Sequence, residues 1–140
     1  MVKLLIGTKG TGKTKKMIDM ANERLQNSNG NIVFINKNDR LIYDLNHSIR
    51  VVSMQEYEQI RNSDEYIGFI YGVISGDHDI EVIFIDSILK HADVNVEDIP
   101  EFLNRLREIS ETYKIEFIVS LSAEKETILN LDIAKFEILN

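Results

Sequence analysis

The chain has 140 residues, 44% of them hydrophobic and 28% charged, which is the composition of a globular protein with a buried core. It contains no cysteine, so a disulfide framework and a thiolate metal site are both excluded. The net charge of −7 argues against general nucleic-acid binding. No apolar run approaches the roughly 20 residues that span a bilayer, and the N-terminus lacks the pattern of a signal peptide. We therefore expect one cytoplasmic domain over residues 1–140.

The charge is distributed unevenly along the chain. Residues 1–50 carry nine Lys and Arg against four Asp and Glu, whereas residues 51–140 carry seven against nineteen. The first part therefore has a net charge of +5 and the second a net charge of −12. The lysines near the start are Lys3, Lys9, Lys13, Lys15 and Lys16. Such a positive cluster favours a polyanionic ligand in the N-terminal part of the protein.

The first 26 residues have the pattern of a strand, a glycine-rich loop and a helix. Residues 2–6 are a short apolar run, and helical periodicity begins near Lys13 and continues to about Gln26. Between them, residues 7–14 read GTKGTGKT and match the phosphate-binding pattern G-x-x-x-x-G-K-[S/T]. We call residues 7–14 the phosphate loop.

The chemistry of phosphate binding explains this pattern. Glycines let backbone N–H groups approach an anion closely, and the following helix directs the positive end of its dipole at the same point. We expect Lys13 to contact the β- and γ-phosphates and to act in catalysis, and the Thr14 hydroxyl to ligate Mg²⁺. The side chain of Lys15, like that of Lys16, is expected mainly in solvent. The predicted phosphate-binding residues are Gly7, Thr8, Lys9, Gly10, Thr11, Gly12, Lys13, Thr14 and Lys15.

In this loop the sequence resembles the P-loop NTPase superfamily, and the form G-x-x-G-T-G-K-T is most similar to the RecA/AAA-like branch. The resemblance implies ATP and Mg²⁺ as ligands of a single P-loop domain. Further apolar runs at 32–35, 81–85 and 115–119 alternate with helical segments, which is typical of parallel βαβ units, and residues 135–139 predict a last strand. We therefore expect an α/β fold, a three-layer αβα sandwich with a mainly parallel sheet of about five strands.

The segment 81–86, EVIFID, resembles a Walker B strand, which implies that Asp86 holds Mg²⁺ opposite Thr14. Many ATPases of this branch place a glutamate directly after that aspartate, whereas here the next residue is Ser87. This departure predicts slow hydrolysis. Asp39 is our candidate for the catalytic base, with Glu56 and Glu124 as alternatives.

The end of the strand at 115–119 offers a sensor of the γ-phosphate. In this branch the strand beside the phosphate loop often ends in a polar residue, and Ser120 and Ser122 have that place here. Ser122 has an alternative role as the cap of a helix over residues 123–130.

Residues 36–39, Asn-Lys-Asn-Asp, match the N-K-x-D motif with which GTPases read guanine. Its position directly after the first helix and second strand is not the order found in GTPases. We interpret it as a turn at a strand end, from which Asn36 or Asp39 approaches the γ-phosphate.

The middle of the chain gives weaker patterns. Residues 41–45 and 49–52 predict a hairpin or a pair of edge strands. A capping box predicts a helix from Ser53, with a break and a second cap near Asn62. Gly68 and Gly72 stand four residues apart and predict close packing of this helix on a neighbour, and Gly76 is expected to end it.

Three classes of function remain open. The first is a Mg²⁺-dependent ATPase that is weak or stimulated by a protein partner. The second is a nucleotide-binding switch or interaction module that does not hydrolyse ATP, and the third is a small-molecule kinase, for which no arginine-bearing lid is visible. The chain also resembles small bacterial ATP-binding proteins, some of them labelled twitching-motility ATPases, but it has no counterpart of the acidic and histidine boxes of that class.

Overall fold

Six strands form one sheet, and five α-helices connect them. A computed structural model describes the backbone of all 140 residues and every side chain except those of Ile42 and His91. The strands are β1 (Val2–Gly7), β2 (Asn31–Asn36), β3 (Arg50–Ser53), β4 (Ile80–Ile85), β5 (Glu116–Ser122) and β6 (Glu137–Ile138). The helices are α1 (Lys13–Asn27), α2 (Ser63–Ser75), α3 (Ile88–His91), α4 (Ile99–Tyr113) and α5 (Lys125–Leu129). None of these helices is both long and apolar enough to cross a membrane, within the part of the chain that the structure describes.

The strand order in the sheet is β3-β2-β4-β5-β1-β6, and every neighbouring pair is parallel. The predicted last strand at residues 135–139 is present as the short β6 beside β1, and the sheet has one strand more than the five we expected because β3 adds to the edge of β2. β5 lies between β1 and β4, and Gly7 aligns with Ser122. All six carboxyl ends consequently meet at one edge of the sheet, which is where ligands bind in such folds.

Helices cover the sheet on both faces, which confirms the predicted three-layer sandwich. Alternate residues of β4 show how the core is divided: Val82 and Phe84 pack on the α1 side, whereas Ile83 and Ile85 pack on the side of α2 and α4. Phe84 also stacks on Phe34 of β2, with ring centroids 5.8 Å apart. Both faces of the central strands are buried, as the continuous apolar runs predicted.

The prediction of a hairpin or a pair of edge strands at residues 41–45 and 49–52 is confirmed only for the second run, which forms the edge strand β3. Residues 42–44 form a 3₁₀ turn, and only β3 is a strand, running parallel to β2. The side chain of Asn22 on α1 contacts this segment: its Nδ2 donates to the carbonyl of Asp44 at 2.9 Å and its Oδ1 accepts from the N–H of Asn46 at 2.8 Å. A tertiary contact of this kind is not visible in a local sequence pattern.

The segment after β3 also differs from the prediction. Ser53 is followed by a 3₁₀ turn, Met54–Glu56, and makes no side-chain cap, so the helix begins only at Ser63. Asn62 is the true cap, with its Oδ1 accepting from the N–H of Glu65 at 2.9 Å, and Gly76 ends the helix as predicted. Gly68 and Gly72 are exposed, with no atom near the position of an added Cβ, so the expected close packing is wrong.

Candidate functional site

The phosphate loop links β1 to α1 at the carboxyl edge of the sheet. Gly10 and Gly12 have φ angles of 88° and 83°, a left-handed conformation that glycine adopts without strain. Gly7 is needed for a different reason, because a Cβ there would lie 2.7 Å from Oγ1 of Thr11. The Thr11 hydroxyl in turn donates to the carbonyl of Thr8 at 2.8 Å. The glycines of the motif therefore permit a tight loop that closes on itself.

Lys13, the first residue of α1, turns its side chain back toward this loop. Its Nζ donates to the carbonyl of Thr8 at 3.0 Å, and the residue is only 8% exposed. Burial lowers the pKa of Lys13, the charge of Asp86 opposes that shift, and the charge of Lys90 adds to it. A buried ammonium group whose hydrogen-bond acceptor is a neutral carbonyl would be stabilised further by an anion.

Asp86 follows β4 and is the centre of a buried hydrogen-bond network. The Thr14 hydroxyl donates to its Oδ2 at 2.7 Å, and the Ser120 hydroxyl donates to its Oδ1 at 2.6 Å. The backbone N–H of Ser87 donates to the Ser120 oxygen at 2.7 Å. Asp86 is 2% exposed and Ser120 is fully buried. The network joins α1, β4 and β5, and it brings the two predicted Mg²⁺ residues, Thr14 and Asp86, into contact.

Ser120 and Ser122 therefore have different positions. Ser120 lies behind the carboxylate of Asp86 and orients it, so it is a positioning residue for that carboxylate. Ser122 lines the cleft described below. The alternative role of Ser122 as a helix cap is wrong, because α5 begins at Lys125 after Glu124 and has no side-chain cap.

A cavity of about 420 Å³ opens above the phosphate loop, and we call it the main cleft. Asp86 is the one acidic side chain among the described residues that line it. The cationic side chains lining it are Lys9, Lys13, Lys15, Lys37, Arg40 and Lys90. The formal charge of these lining groups is +5, which strongly attracts a polyanion.

Three of these cations were not among the predicted site residues. Lys37 and Arg40 belong to the loop after β2, and Lys90 lies in α3, just after β4. Their positions after the ends of parallel strands were the available signal, since such loops meet at the ligand-binding edge. Lys3, by contrast, lies away from the loop and pairs with Glu116, with Nζ 3.3 Å from Oε1.

The candidate catalytic bases do not line the main cleft. Asp39 is exposed, and its Oδ1 accepts from Nε2 of Gln55 at 3.3 Å. Glu56 and Glu124 are also exposed and lie outside the residues that line the cleft. A catalytic role for Asp39 stays a prediction that this position does not favour. Asn36, the other residue of the N-K-x-D segment with a predicted role, is buried and lines the cleft.

The donors at the base of the cleft fit Mg²⁺. The Thr14 hydroxyl and the Asp86 carboxylate are hard oxygen ligands, and their oxygens already lie 2.7 Å apart. Protein Mg²⁺ sites commonly use one or two such groups and complete the coordination shell with water and phosphate oxygens. The described residues include no group of three or more His, Cys, Asp or Glu that would favour another metal.

Comparison with known proteins supports the fold. No family model matches the chain, and no curated protein matches it. Among solved structures, the chain is similar to the flagellar accessory protein FlaH from Methanocaldococcus jannaschii, with a TM-score of 0.55 and 14% sequence identity. The similarity covers 91% of this chain but 65% of the FlaH chain. At this identity the likeness concerns the fold alone, and it supports the three-layer αβα sandwich with a parallel sheet.

Proposed function

We propose that the main cleft binds ATP with Mg²⁺, and that the protein hydrolyses ATP slowly or only when a partner stimulates it. The observation that carries this proposal is the contact between Thr14 and the buried Asp86 directly beside a glycine loop of phosphate-binding sequence. The cationic lining of the cleft supports the same ligand class, because a triphosphate is a compact polyanion.

Each residue would have a distinct part in binding. The backbone N–H groups of the loop and the first turn of α1 would donate to phosphate oxygens, and Lys13 would exchange its bond to Thr8 for one to the anion. Thr14 and Asp86 would hold the metal, with Ser120 keeping the carboxylate in place. Bound Mg²⁺ would supply neutralisation of charge on the phosphates.

The lining of the cleft supports slow turnover. A base that activates water needs to lie within hydrogen-bond reach of that water, and Asp86 is the single carboxylate among the described residues of the cleft. Ser87 occupies the place where the resemblance implies a glutamate, and its N–H is engaged by Ser120. The same observation favours the second candidate, a nucleotide-dependent switch without hydrolysis.

A combined assay of binding and turnover tests this proposal. Bound ATP and released phosphate are measured for the natural protein, for Lys13→Ala, and for Lys16→Ala as the matched control. Lys16 is exposed, outside the cleft, and contacts the carbonyl of Leu139. We expect Lys13→Ala to weaken binding about 100-fold, because truncating a cation that pairs with an anion costs roughly 3 kcal/mol. We expect Lys16→Ala to bind as the natural protein does.

The turnover readout separates the candidate functions. We expect phosphate release by the natural protein at below about 0.1 per second, which is some 100-fold under the median for enzymes. ATP binding without turnover that depends on Lys13 identifies the switch. Turnover that appears only with an added small molecule identifies the kinase, and absence of nucleotide binding contradicts the proposal.

A further inference from the structure

A second cavity, of about 340 Å³, lies beside the main cleft, and we call it the adjoining cavity. The loops after β2, β3 and β4 enclose it. Lys37 and Lys90 line both cavities and therefore form the boundary between them. We call these two residues the boundary lysines.

The boundary lysines are neighbours at the junction of the two cavities. The pKa of Lys37 is lowered first by burial and then by the charge of Lys90, and the charge of Asp86 opposes that shift. No described carboxylate forms an ion pair with either lysine. Two adjacent ammonium groups repel, and an anion placed between or beside them would remove that repulsion.

Arg61 adds a third cation to the lining of the adjoining cavity. Its backbone is fixed at the start of α2, because its N–H donates to Oε1 of Glu65 at 2.7 Å. Its guanidinium makes no ion pair with any described carboxylate, and such a group binds phosphate or carboxylate with two parallel hydrogen bonds. The cavity is therefore lined by three cations, none of which forms an ion pair with a described carboxylate.

The remaining lining of the adjoining cavity differs from that of the main cleft. Glu58 and Asp93 supply carboxylates, and Ile60 supplies apolar surface. Carboxylates accept hydrogen bonds from hydroxyl or ammonium groups, whereas the oxygens of a triphosphate group are hydrogen-bond acceptors. The carboxylates of this cavity therefore suit a ligand that also carries hydrogen-bond donors. The cavity volume is within the range of about 300–1,000 Å³ that small-molecule sites occupy.

We propose that the adjoining cavity binds a second, small anionic molecule through Lys37, Arg61 and Lys90, next to the nucleotide. Its phosphate or carboxylate group would contact the three cations, and its hydroxyl or ammonium groups would contact Glu58 and Asp93. The position beside the nucleotide rests on the proposed function, whereas the anion site itself depends only on the adjoining cavity. Bound Mg²⁺ would neutralise part of the charge of the triphosphate, which would leave the boundary lysines available to a second anion.

Inorganic phosphate is a suitable probe, followed by ¹H–¹⁵N NMR of the full chain. The protein is first saturated with Mg²⁺ and a non-hydrolysable ATP analogue, which occupies the main cleft and is monitored through the amides of residues 7–14. Phosphate is then titrated at constant ionic strength, and acetate is titrated separately to distinguish phosphate from carboxylate. We expect saturable shifts at the amides of Gln55, Glu58, Arg61 and Lys90.

The double variant Lys37→Gln/Arg61→Gln should weaken phosphate binding at least about tenfold, because two charge-assisted contacts are lost. The control Lys16→Gln/Lys114→Gln removes the same charge from exposed lysines outside both cavities and should bind phosphate normally. Shifts confined to residues 7–14, or an affinity that the double variant leaves unchanged, would overturn the second site.

The two proposals fail separately in this experiment. If the nucleotide analogue does not bind but phosphate still shifts Gln55 and Arg61, the proposed function is wrong and the anion site stands. If the analogue binds and phosphate produces no saturable shift in the adjoining cavity, the anion site is wrong and nucleotide binding stands.

Discussion

The phosphate loop and the loop after β2 line the same cleft but are built in different ways. In the phosphate loop the backbone itself faces the cleft, and glycines with φ angles of 83° and 88° allow its path. The loop after β2 contributes side chains, and its path depends on local bonds such as Asn38 Oδ1 accepting from the N–H of Arg40 at 3.0 Å. A binding site made by backbone atoms therefore needs glycine at particular positions of the sequence. A site made by side chains needs only cationic residues that the fold brings to the same place.

The largest expected effect concerns the buried network beneath the phosphate loop. Ser120→Ala leaves the N–H of Ser87 without its acceptor and removes a donor from Asp86, both in the core. Unsatisfied buried groups cost about 1–3 kcal/mol each, so we expect the free energy of unfolding to fall by about 2–4 kcal/mol. Urea denaturation measures this change.

Ser122→Ala is the matched control for stability, since Ser122 is two residues further along β5 and only partly buried. We expect a change below about 0.5 kcal/mol. Ser120→Ala should also weaken the enhancement of nucleotide binding by Mg²⁺ about tenfold or more, because it frees the carboxylate to reorient. Equal effects of the two serines on stability would contradict the positioning role of Ser120.

Glycine substitutions test whether backbone conformation defines the phosphate loop. Gly12→Ala places a Cβ on a residue with φ of 83° and should destabilise the protein by about 1–2 kcal/mol. Gly68→Ala is at an exposed position in α2 with open space around it, and it should stabilise the protein by about 0.5–1 kcal/mol. Thermal unfolding measures whether each variant is less or more stable than the natural protein. Destabilisation by Gly68→Ala would show that α2 packs differently.

The same contrast explains which parts of the molecule could be predicted from the sequence. The phosphate loop, α1 and the Walker B-like strand were predicted because glycine chemistry and apolar runs are local signals. Thr14 and Asp86 are 72 residues apart, yet their pairing followed from the two motifs. A mainly parallel sheet was predicted from the alternation of buried strands and helices, and the parallel pairing of β3 with β2 was not.

The features that sequence reasoning missed depend on tertiary contacts. Residues 41–45 were predicted as one strand of a hairpin or of an edge pair, because a short alternating run does not reveal that Asn22 on α1 binds the backbone of Asp44 and Asn46. Gly68 and Gly72 were assigned to a packed face, but the apolar stripe of α2 lies on the opposite side. Lys37 and Lys90 meet only because β2 and β4 are neighbours, which is a property of strand order.

The depressed pKa of Lys13 predicts a pH dependence of nucleotide binding. A bound triphosphate favours the charged ammonium, so binding takes up a proton once the pH exceeds the lowered pKa of the free protein. Affinity should be constant below that pKa and should fall by up to about tenfold per unit above it. The free energy of unfolding of the free protein changes with pH in the opposite direction to the affinity. It rises with pH between the lowered pKa of Lys13 and the ordinary lysine value, because the unfolded chain binds more protons in that range.

Nucleotide titrations between about pH 7 and pH 10 measure the change in affinity, and unfolding experiments over the same pH range measure the change in stability. Lys13→Arg keeps its charge over this range and should bind with a flatter profile, the remaining slope being due to Lys37, whose pKa is also lowered. An affinity that stays flat in the natural protein would contradict the buried position of Lys13.

The smallest expected effect belongs to Lys15. Its Nζ lies 3.2 Å from Oδ2 of Asp19 in an exposed i,i+4 pair, and such pairs contribute less than about 0.5 kcal/mol. Lys15→Gln should therefore hardly change stability, and it should weaken nucleotide binding only a few-fold at low salt. Calorimetry at two salt concentrations measures this, and a loss comparable to that of Lys13→Ala would place Lys15 among the direct phosphate ligands.

The most direct test of the central claim is the effect of Mg²⁺ on ATP binding, measured by titration calorimetry in the natural protein and in Asp86→Asn. We predict saturable binding to one site that Mg²⁺ strengthens about tenfold or more in the natural protein. In Asp86→Asn we predict that this strengthening disappears, because the carboxylate beside Thr14 is lost. No ATP binding, or an equal effect of Mg²⁺ on both proteins, would contradict the assignment of the main cleft as a Mg²⁺-dependent nucleotide site.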